Sequence, residues 1–289
     1  MNFPPVPSDL NFKKYCLETH GSIENLIAKA KNGDIVAQAD LGMAYSGGLG
    51  DELPKDTDKA IGWLNAAVEK GYEFPFILEK LGELLDRKGT ELYHQKAYEM
   101  YHRAARLGST TSQLNLAEMY RCGVEGVVNE DLKEAFKWYK KAAGEEVVDV
   151  SSDLGVFGRL CAGTMTKLGN VDTKHRALMS LYKYYLEGDC PEGRPQPTKA
   201  VYYLTRAAEL GDTEAQLTLG QIYLAGSCEQ IKDVAKARRW LRKASANGDV
   251  RAKRVCCSAS YRLIYSVLSK PTSSTGSSCY SLYPVKYSI

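Results

Sequence analysis

Four histidines and eight cysteines are the side chains of this 289-residue chain best suited to acid–base, nucleophilic or metal chemistry. Their spacing argues against all three. His94 and His102 lie eight apart on one predicted helix, two turns from each other, too far to share a zinc ion. His20 and His175 stand alone. There is no His-Glu-x-x-His and no phosphate-cradling glycine loop. The cysteines show no Cys-x-x-Cys spacing. Cys190 and Cys228 each follow a tyrosine (Tyr185, Tyr223) by five residues, which could make them neighbours in adjacent loops, as a redox or metal pair. No histidine or charged partner is evident to lower either thiol, so ordinary reduced loop cysteines is the better reading. The expectation is a chain with no catalytic, cofactor or metal site.

What positions these residues is a repeat. Lys59-Ala60…Trp63-Leu64…Ala67…Gly71 returns as Lys96-Ala97…Met100-Tyr101…Ala104…Gly108 and as Glu134-Ala135…Trp138-Tyr139…Ala142. It returns again as Lys199-Ala200…Tyr203-Leu204…Ala207…Gly211 and Lys236-Ala237…Trp240-Leu241…Ala244…Gly248. The leading alanines are 37, 38, 65 and 37 residues apart. Fixed periods of this size mean stacked structural units. An earlier block precedes each: Ala37…Leu41-Gly42…Tyr45, Leu81-Gly82, Leu116-Ala117…Tyr120, Ala177…Leu181…Tyr185 and Ala215…Leu219-Gly220…Tyr223. Anchors three or four apart share one helical face. Each unit is therefore a helix, a loop and a second helix. Small residues at one position (Gly42, Gly82, Ala117, Gly220) predict a close helix–helix approach. Gly47, Gly50, Gly123, Gly126, Gly188 and Gly226 suit the turn after the first helix, and Gly71, Gly108, Gly211 and Gly248 close the second. Asp34, Asp212 and Asp249 are placed to cap first helices, and Ser22 an earlier one.

These blocks resemble the Sel1-like repeat family, a longer-looped relative of the tetratricopeptide repeats. The resemblance covers about 33–252 and is specific in repeats one, three and five. It departs at Arg87 and Lys88, where repeat two should turn on glycine, at Tyr182 in place of a small residue, and at Glu146 in place of the closing glycine of repeat three. It implies an all-α fold, a right-handed α-solenoid of helix-turn-helix repeats. It also implies a non-catalytic adaptor or scaffold that holds a protein or peptide in a concave groove lined by first helices. Carried over by register, the groove residues are Met43, Glu79, Glu83, Glu118, Arg121, Met179, Lys183, Leu217 and Gln221. The recurrent Tyr45, Tyr120, Tyr185 and Tyr223, with Trp63, Trp138 and Trp240, are packing residues. Lys183, Tyr184 and Tyr202 fall between anchors and should reach solvent.

The domain organisation follows. Residues 1–10, with three prolines, should be disordered; 11–34 form a capping helix region carrying Ile23, Leu26, Ile27 and Ala30. Repeats one to three occupy 35–144, an irregular or degenerate insert 145–174, and repeats four and five 175–248. A capping helix at 249–269 and a disordered tail at 270–289 complete the chain.

Formal charge is +3, from 38 basic and 35 acidic residues, too balanced to demand a polyanion. Nucleic acid is thus disfavoured, although Arg238-Arg239, Arg242-Lys243, Arg251 and Lys253-Arg254 form a basic last repeat that leaves RNA binding as an alternative. A second alternative is an enzyme, or an enzyme's regulatory subunit, with its site in 145–172. No apolar stretch is long enough for a signal peptide or membrane span, and no Asn-x-Ser/Thr acceptor occurs, so a cytoplasmic or nuclear location without membrane insertion is expected.

Overall fold

The computed structural model describes residues 9–145 and 171–257. The chain divides into two compact units, one ending at Thr173 and one beginning at Lys174. The first contains α1 (Asp9–His20), α2 (Ile23–Lys31), α3 (Ile35–Gly47), α4 (Thr57–Glu69), α5 (Pro75–Asp86), α6 (Glu91–Arg106), α7 (Thr110–Cys122) and α8 (Leu132–Ala142). The helix α9 (Val171–Glu187) begins at the boundary and lies mostly in the second unit, which also holds α10 (Pro197–Glu209), α11 (Thr213–Ala225), α12 (Val234–Ala246) and α13 (Val250–Cys257). No strand occurs among the described residues. The fold is a helical solenoid: α3 pairs with α4, α5 with α6, α7 with α8 and α11 with α12, and a second helix meets the following first helix at α4–α5 and α6–α7 in the first unit and at α10–α11 and α12–α13 in the second.

Caps start these helices where the sequence places them. Asp34 Oδ1 accepts the Ala37 N–H at 2.8 Å, Asp212 Oδ1 that of Ala215 at 2.6 Å, Asp249 Oδ1 that of Ala252 at 2.8 Å, and Ser22 Oγ that of Asn25 at 3.1 Å. Second helices use the same device through Asp56, Asp131 and Asp233. The closing glycines Gly71, Gly108, Gly211 and Gly248 all have φ between +87° and +105°, a region where a side chain would clash with its own backbone. Two positions differ from the sequence reading. Gly47 ends α3 in helical conformation and Gly48 takes the left-handed turn. Gly144, not position 146, closes repeat three, with φ +77°.

The amino-terminal cap is two helices rather than one. Phe12 and Cys16 of α1, with Ile23, Leu26 and Ala30 of α2, bury against Ala37, Leu41 and Ala44 of α3, so the first repeat has a covered end. Asp9 and Leu10 already belong to α1. The remainder of the expected disordered start, positions 146–170 of the insert, and everything after 257 lie outside the described residues.

The small position of the first helix is a contact of backbone with side chain. A Cβ on Gly42 would lie 2.7 Å from Leu64 Cγ and 3.0 Å from the Leu64 backbone nitrogen. On Gly82 it would meet Tyr101 Cε1 at 2.8 Å, and on Gly220 Leu241 Cγ at 2.7 Å. Gly42→Ala should therefore destabilise the protein by about 1–3 kcal/mol by overpacking, despite alanine's better helix propensity. Gly62→Ala, on the exposed side of α4 with nothing within 4 Å, should stabilise it by up to about 1 kcal/mol. Urea unfolding of the two variants tests this, and a stabilising Gly42→Ala would refute the close approach.

Candidate interaction face

Among the described residues the four histidines are dispersed, each with its own local contact. His20 Nε2 lies 2.9 Å from Asp40 Oδ2 in the buried α1–α3 contact, and His94 Nδ1 lies 2.8 Å from Asp86 Oδ1. His175 Nε2 donates to the Leu210 carbonyl at 3.0 Å. His102 packs edge-on against Trp138, and burial, then Arg106 and Lys141, lower its pKa. Burial, then the Asp40 carboxylate, push the Cys16 thiol up to about 12, the opposite of what a nucleophile needs. Cys190 and Cys228 are both buried. The Cys190 thiol donates to the Arg194 carbonyl at 3.4 Å and accepts from Gln196 Nε2 at 3.5 Å, within its own loop. Among the described residues no cluster of three or more His, Cys, Asp or Glu could hold a metal ion.

The recurrent aromatics have structural duties. Lys59 stacks on Tyr45 at 5.3 Å, Lys199 on Tyr185 at 5.3 Å and Lys236 on Tyr223 at 5.4 Å. Each lysine thus ties its second helix to the first helix of the same repeat. The Tyr45, Tyr120, Tyr185 and Tyr223 carbonyls accept from the N–H of Asp56, Asp131, Gln196 and Asp233, which fixes where the loop re-enters helix. Tyr202 is 55% exposed, as expected from its place between anchors. Tyr184 is buried instead, because it falls on the side of α9 that meets the core.

One recurring set of buried polar residues, the glutamines of three repeats, was missed by sequence reasoning. Gln38, Gln113 and Gln216 each donate Nε2–H to a carbonyl eight residues earlier, that of Ala30, Ala105 and Ala208, at 3.0–3.1 Å. The bond links the start of a first helix to the end of the preceding second helix. Its signal was available: glutamine at one repeat offset in repeats one, three and five. Leucine fills that offset in repeats two and four (Leu78, Leu178), where it is buried.

The nine candidate groove residues fall into distinct sets. Counting from the leading anchor of each first helix (Ala37, Ile77, Ser112, Ala177, Ala215), Met43, Glu83, Glu118, Lys183 and Gln221 share offset six. Lys183 and Gln221 are exposed, and Met43, Glu83 and Glu118 half-buried. Offset two holds Glu79, Met179 and Leu217, and it faces the next repeat more than solvent. Leu217 is only 2% exposed and packs with Leu241, Ala244 and Ala252, so it is a core residue and leaves the candidate set. Met179 is half-buried. Arg121, exposed on α7, donates to Glu118 Oε2 through Nε at 2.9 Å and Nη2 at 2.8 Å.

In the first unit α3 and α5 touch, bringing the helices of Met43, Glu79 and Glu83 side by side. Lys80 lies 2.9 Å from Glu83, and Arg87 also pairs with it. Burial works to raise the Glu83 carboxyl, but these two cations outweigh it and hold it below its ordinary range. Glu79 is the reverse case. Burial raises its pKa, although Ser109 Oγ–H donates to its Oε2 at 2.6 Å. That same Ser109 oxygen accepts the Ser112 N–H, so Glu79 steadies the cap of α7.

The stacked helix pairs define a repeat protein whose exposed first-helix positions vary while its packing positions hold. The Sel1 repeat family model matches residues 35–72, 92–109, 110–145, 177–212 and 213–249, and the chain belongs to the Sel1 repeat family. The match skips residues 73–91, which hold α5 and, just after it, Arg87 and Lys88 in place of the glycine turn. A crystal structure of a Sel1 repeat protein from Oxalobacter formigenes superposes with a TM-score of 0.61 at 22% identity, covering 84% of this chain and 87% of that one. The exopolysaccharide production negative regulator of Rhizobium leguminosarum bv. viciae is 33% identical over 147 residues, 50% of this chain and 48% of its own. The chitin synthase regulator SKT5 of Saccharomyces cerevisiae is 27% identical, over 82% of this chain and 37% of its own. The chain thus spans half or less of these relatives.

A carboxyl group raised in the fold costs stability once it ionises, and that cost vanishes as pH falls through the raised value towards the ordinary 4.5. Glu79→Gln keeps an acceptor for Ser109 and removes the charge. It should raise the melting midpoint at pH 7, with the gain shrinking as pH is lowered towards 4.5. A lower midpoint at pH 7, or a gain independent of pH, would contradict this account of Glu79.

Proposed function

We propose that this protein is a non-catalytic adaptor that binds a protein or peptide along the outward positions of its first helices. The observation that supports this most is the contrast within each repeat. Packing positions keep their type, whereas offset six runs Met43, Glu83, Glu118, Lys183, Gln221. A face that served only solvation would need no such apolar, acidic and basic variety at one register. Met179 and Arg121 flank it. Affinity would come from a few well-packed anchors, with the charged residues setting specificity and encounter rate; Met43 is already packed in part against the amino-terminal core.

The names of the relatives support a second, compatible reading, in which the partner is an enzyme and this chain its regulatory subunit. Both matched relatives are regulators, one of exopolysaccharide production and one of chitin synthase. The alternative that places an enzyme's own site within 145–172 falls almost wholly outside the described residues.

Two charge-reversal variants test the adaptor reading, one in each unit: Glu83→Lys with Glu118→Lys, and Lys183→Glu. Lys183 is exposed, so its variant should melt near wild type. Glu83 and Glu118 are half-buried beside Lys80, Arg87 and Arg121, so the double variant should melt lower and is compared at a temperature where circular dichroism shows it folded. Affinity purification with quantitative mass spectrometry should show a defined set of partners reduced at least about tenfold by one or both variants, a loss of about 1.4 kcal/mol. Identical partner profiles for wild type and both variants would refute the assignment of this face.

A further inference from the structure

The positive charge of this protein is concentrated in its last two described helices. Between Val234 and Cys257 eight Lys and Arg accompany a single carboxylate, Asp249, although the whole chain is only +3. The rest of the chain is therefore net acidic. On α12 the buried positions are Ala237, Leu241 and Ala244, which leaves Arg238, Arg239, Arg242 and Lys243 exposed. On α13 Ala252 is buried and Arg251, Lys253 and Arg254 are exposed.

Some of these cations are already engaged. Arg251 pairs with Glu214 and Asp249, Lys236 with Asp233, and Lys243 covers the Trp240 ring at 4.3 Å. Arg239, Arg242, Lys253 and Arg254 are exposed, with no ion-pair partner among the described residues. Four like charges on two short antiparallel helices repel one another, so the face is stabilised by anything that brings negative charge to it.

We propose that the α12–α13 hairpin docks, without inserting, on an anionic lipid surface. Three observations favour a membrane over other polyanions. The free cations stand on the outward sides of two helices rather than in a groove, which suits a planar array of headgroups. The aromatic ring beside them, Trp240, has its face covered by Lys243, so it offers no stacking platform for the bases of a single-stranded nucleic acid. Val250, 60% exposed at the start of α13, adds an apolar side chain next to the basic ones, as interfacial segments do. The net-acidic remainder of the chain is repelled by the same surface, which orients the molecule with this hairpin towards the lipid. This inference does not rest on the adaptor reading, because the residues involved are separate from the first-helix positions at offset six.

Sedimentation of the full chain with vesicles tests it. Binding should appear with vesicles containing about 30% phosphatidylserine, be absent with purely phosphatidylcholine vesicles, and fall steeply as salt rises past about 0.1 M. Each neutralised side chain should weaken partition about fivefold, so the variant Arg239→Gln, Arg242→Gln, Lys253→Gln, Arg254→Gln should lose more than about 100-fold. A second variant, Arg239→Lys, Arg242→Lys, Arg254→Lys, keeps the charge and should keep binding, which separates charge from fold. Circular dichroism of both variants should match wild type. Failure of wild type to bind phosphatidylserine vesicles would overturn the proposal, as would undiminished binding by the glutamine variant. Displacement of the protein from vesicles by a short RNA at equal phosphate concentration would reassign the face to nucleic acid and overturn the lipid assignment.

Discussion

The structure depends on how closely two helices of one repeat can approach. At Gly42, Gly82 and Gly220 the missing side chain lets Leu64, Tyr101 and Leu241 sit directly on helix backbone. This contact sets the separation within each pair, and the separation sets where the next pair must start. A repeat has no central core to compensate an error, since each pair is buried only by its neighbours. A misfit of a methyl group is thus felt at one joint rather than spread through the molecule. Repeats three and four meet the requirement differently: Ala117 is fully buried at the same place, and repeat four carries the buried Tyr182.

Around that joint the polar groups are arranged so that little is left to chance in the chain path. A carboxylate or serine starts most of the helices, a left-handed glycine ends many, and the tyrosine carbonyl receives the returning loop. The glutamine bonds of Gln38, Gln113 and Gln216 couple one repeat to the next, where a helix end would otherwise bury a carbonyl without a donor. In the fifth repeat Asn247 extends this seam. Its Nδ2 donates to Gln216 Oε1 at 3.1 Å and to the Gly211 carbonyl at 3.3 Å. Surface ion pairs between repeats, such as Lys88 with Asp58 and Arg103 with Glu73, add register more than stability.

Many of the described histidines, cysteines and tyrosines are taken up by contacts within the fold. Tyr45, Tyr185 and Tyr223 are occupied by lysine stacking, and Cys16, Cys190 and Cys228 are buried. Lys183, Gln221, Arg239, Arg242, Lys253 and Arg254 are exposed, whereas Met43 also packs against the amino-terminal core. The two proposed surfaces differ in kind. The first is mixed, with an apolar residue and charges of both signs; the second is almost wholly cationic.

The sequence alone determined the repeat, its period, the helix pairs, the caps at Asp34, Asp212 and Asp249 and the close approach at the small residues. These are local or strictly periodic, and a helix writes its buried face into its own residue spacing. Only the tertiary structure decided which positions beside the anchors stay exposed. Glu79, Met179 and Leu217 share one offset, yet Leu217 lies in the core while Glu79 is held half-buried by Ser109 at the cap of α7. Likewise Tyr184 and the paired amino-terminal helices α1 and α2 were not legible. Exposure at such positions depends on what the neighbouring repeat brings against them, and that neighbour is set by the stacking geometry rather than by the residue's own type or spacing.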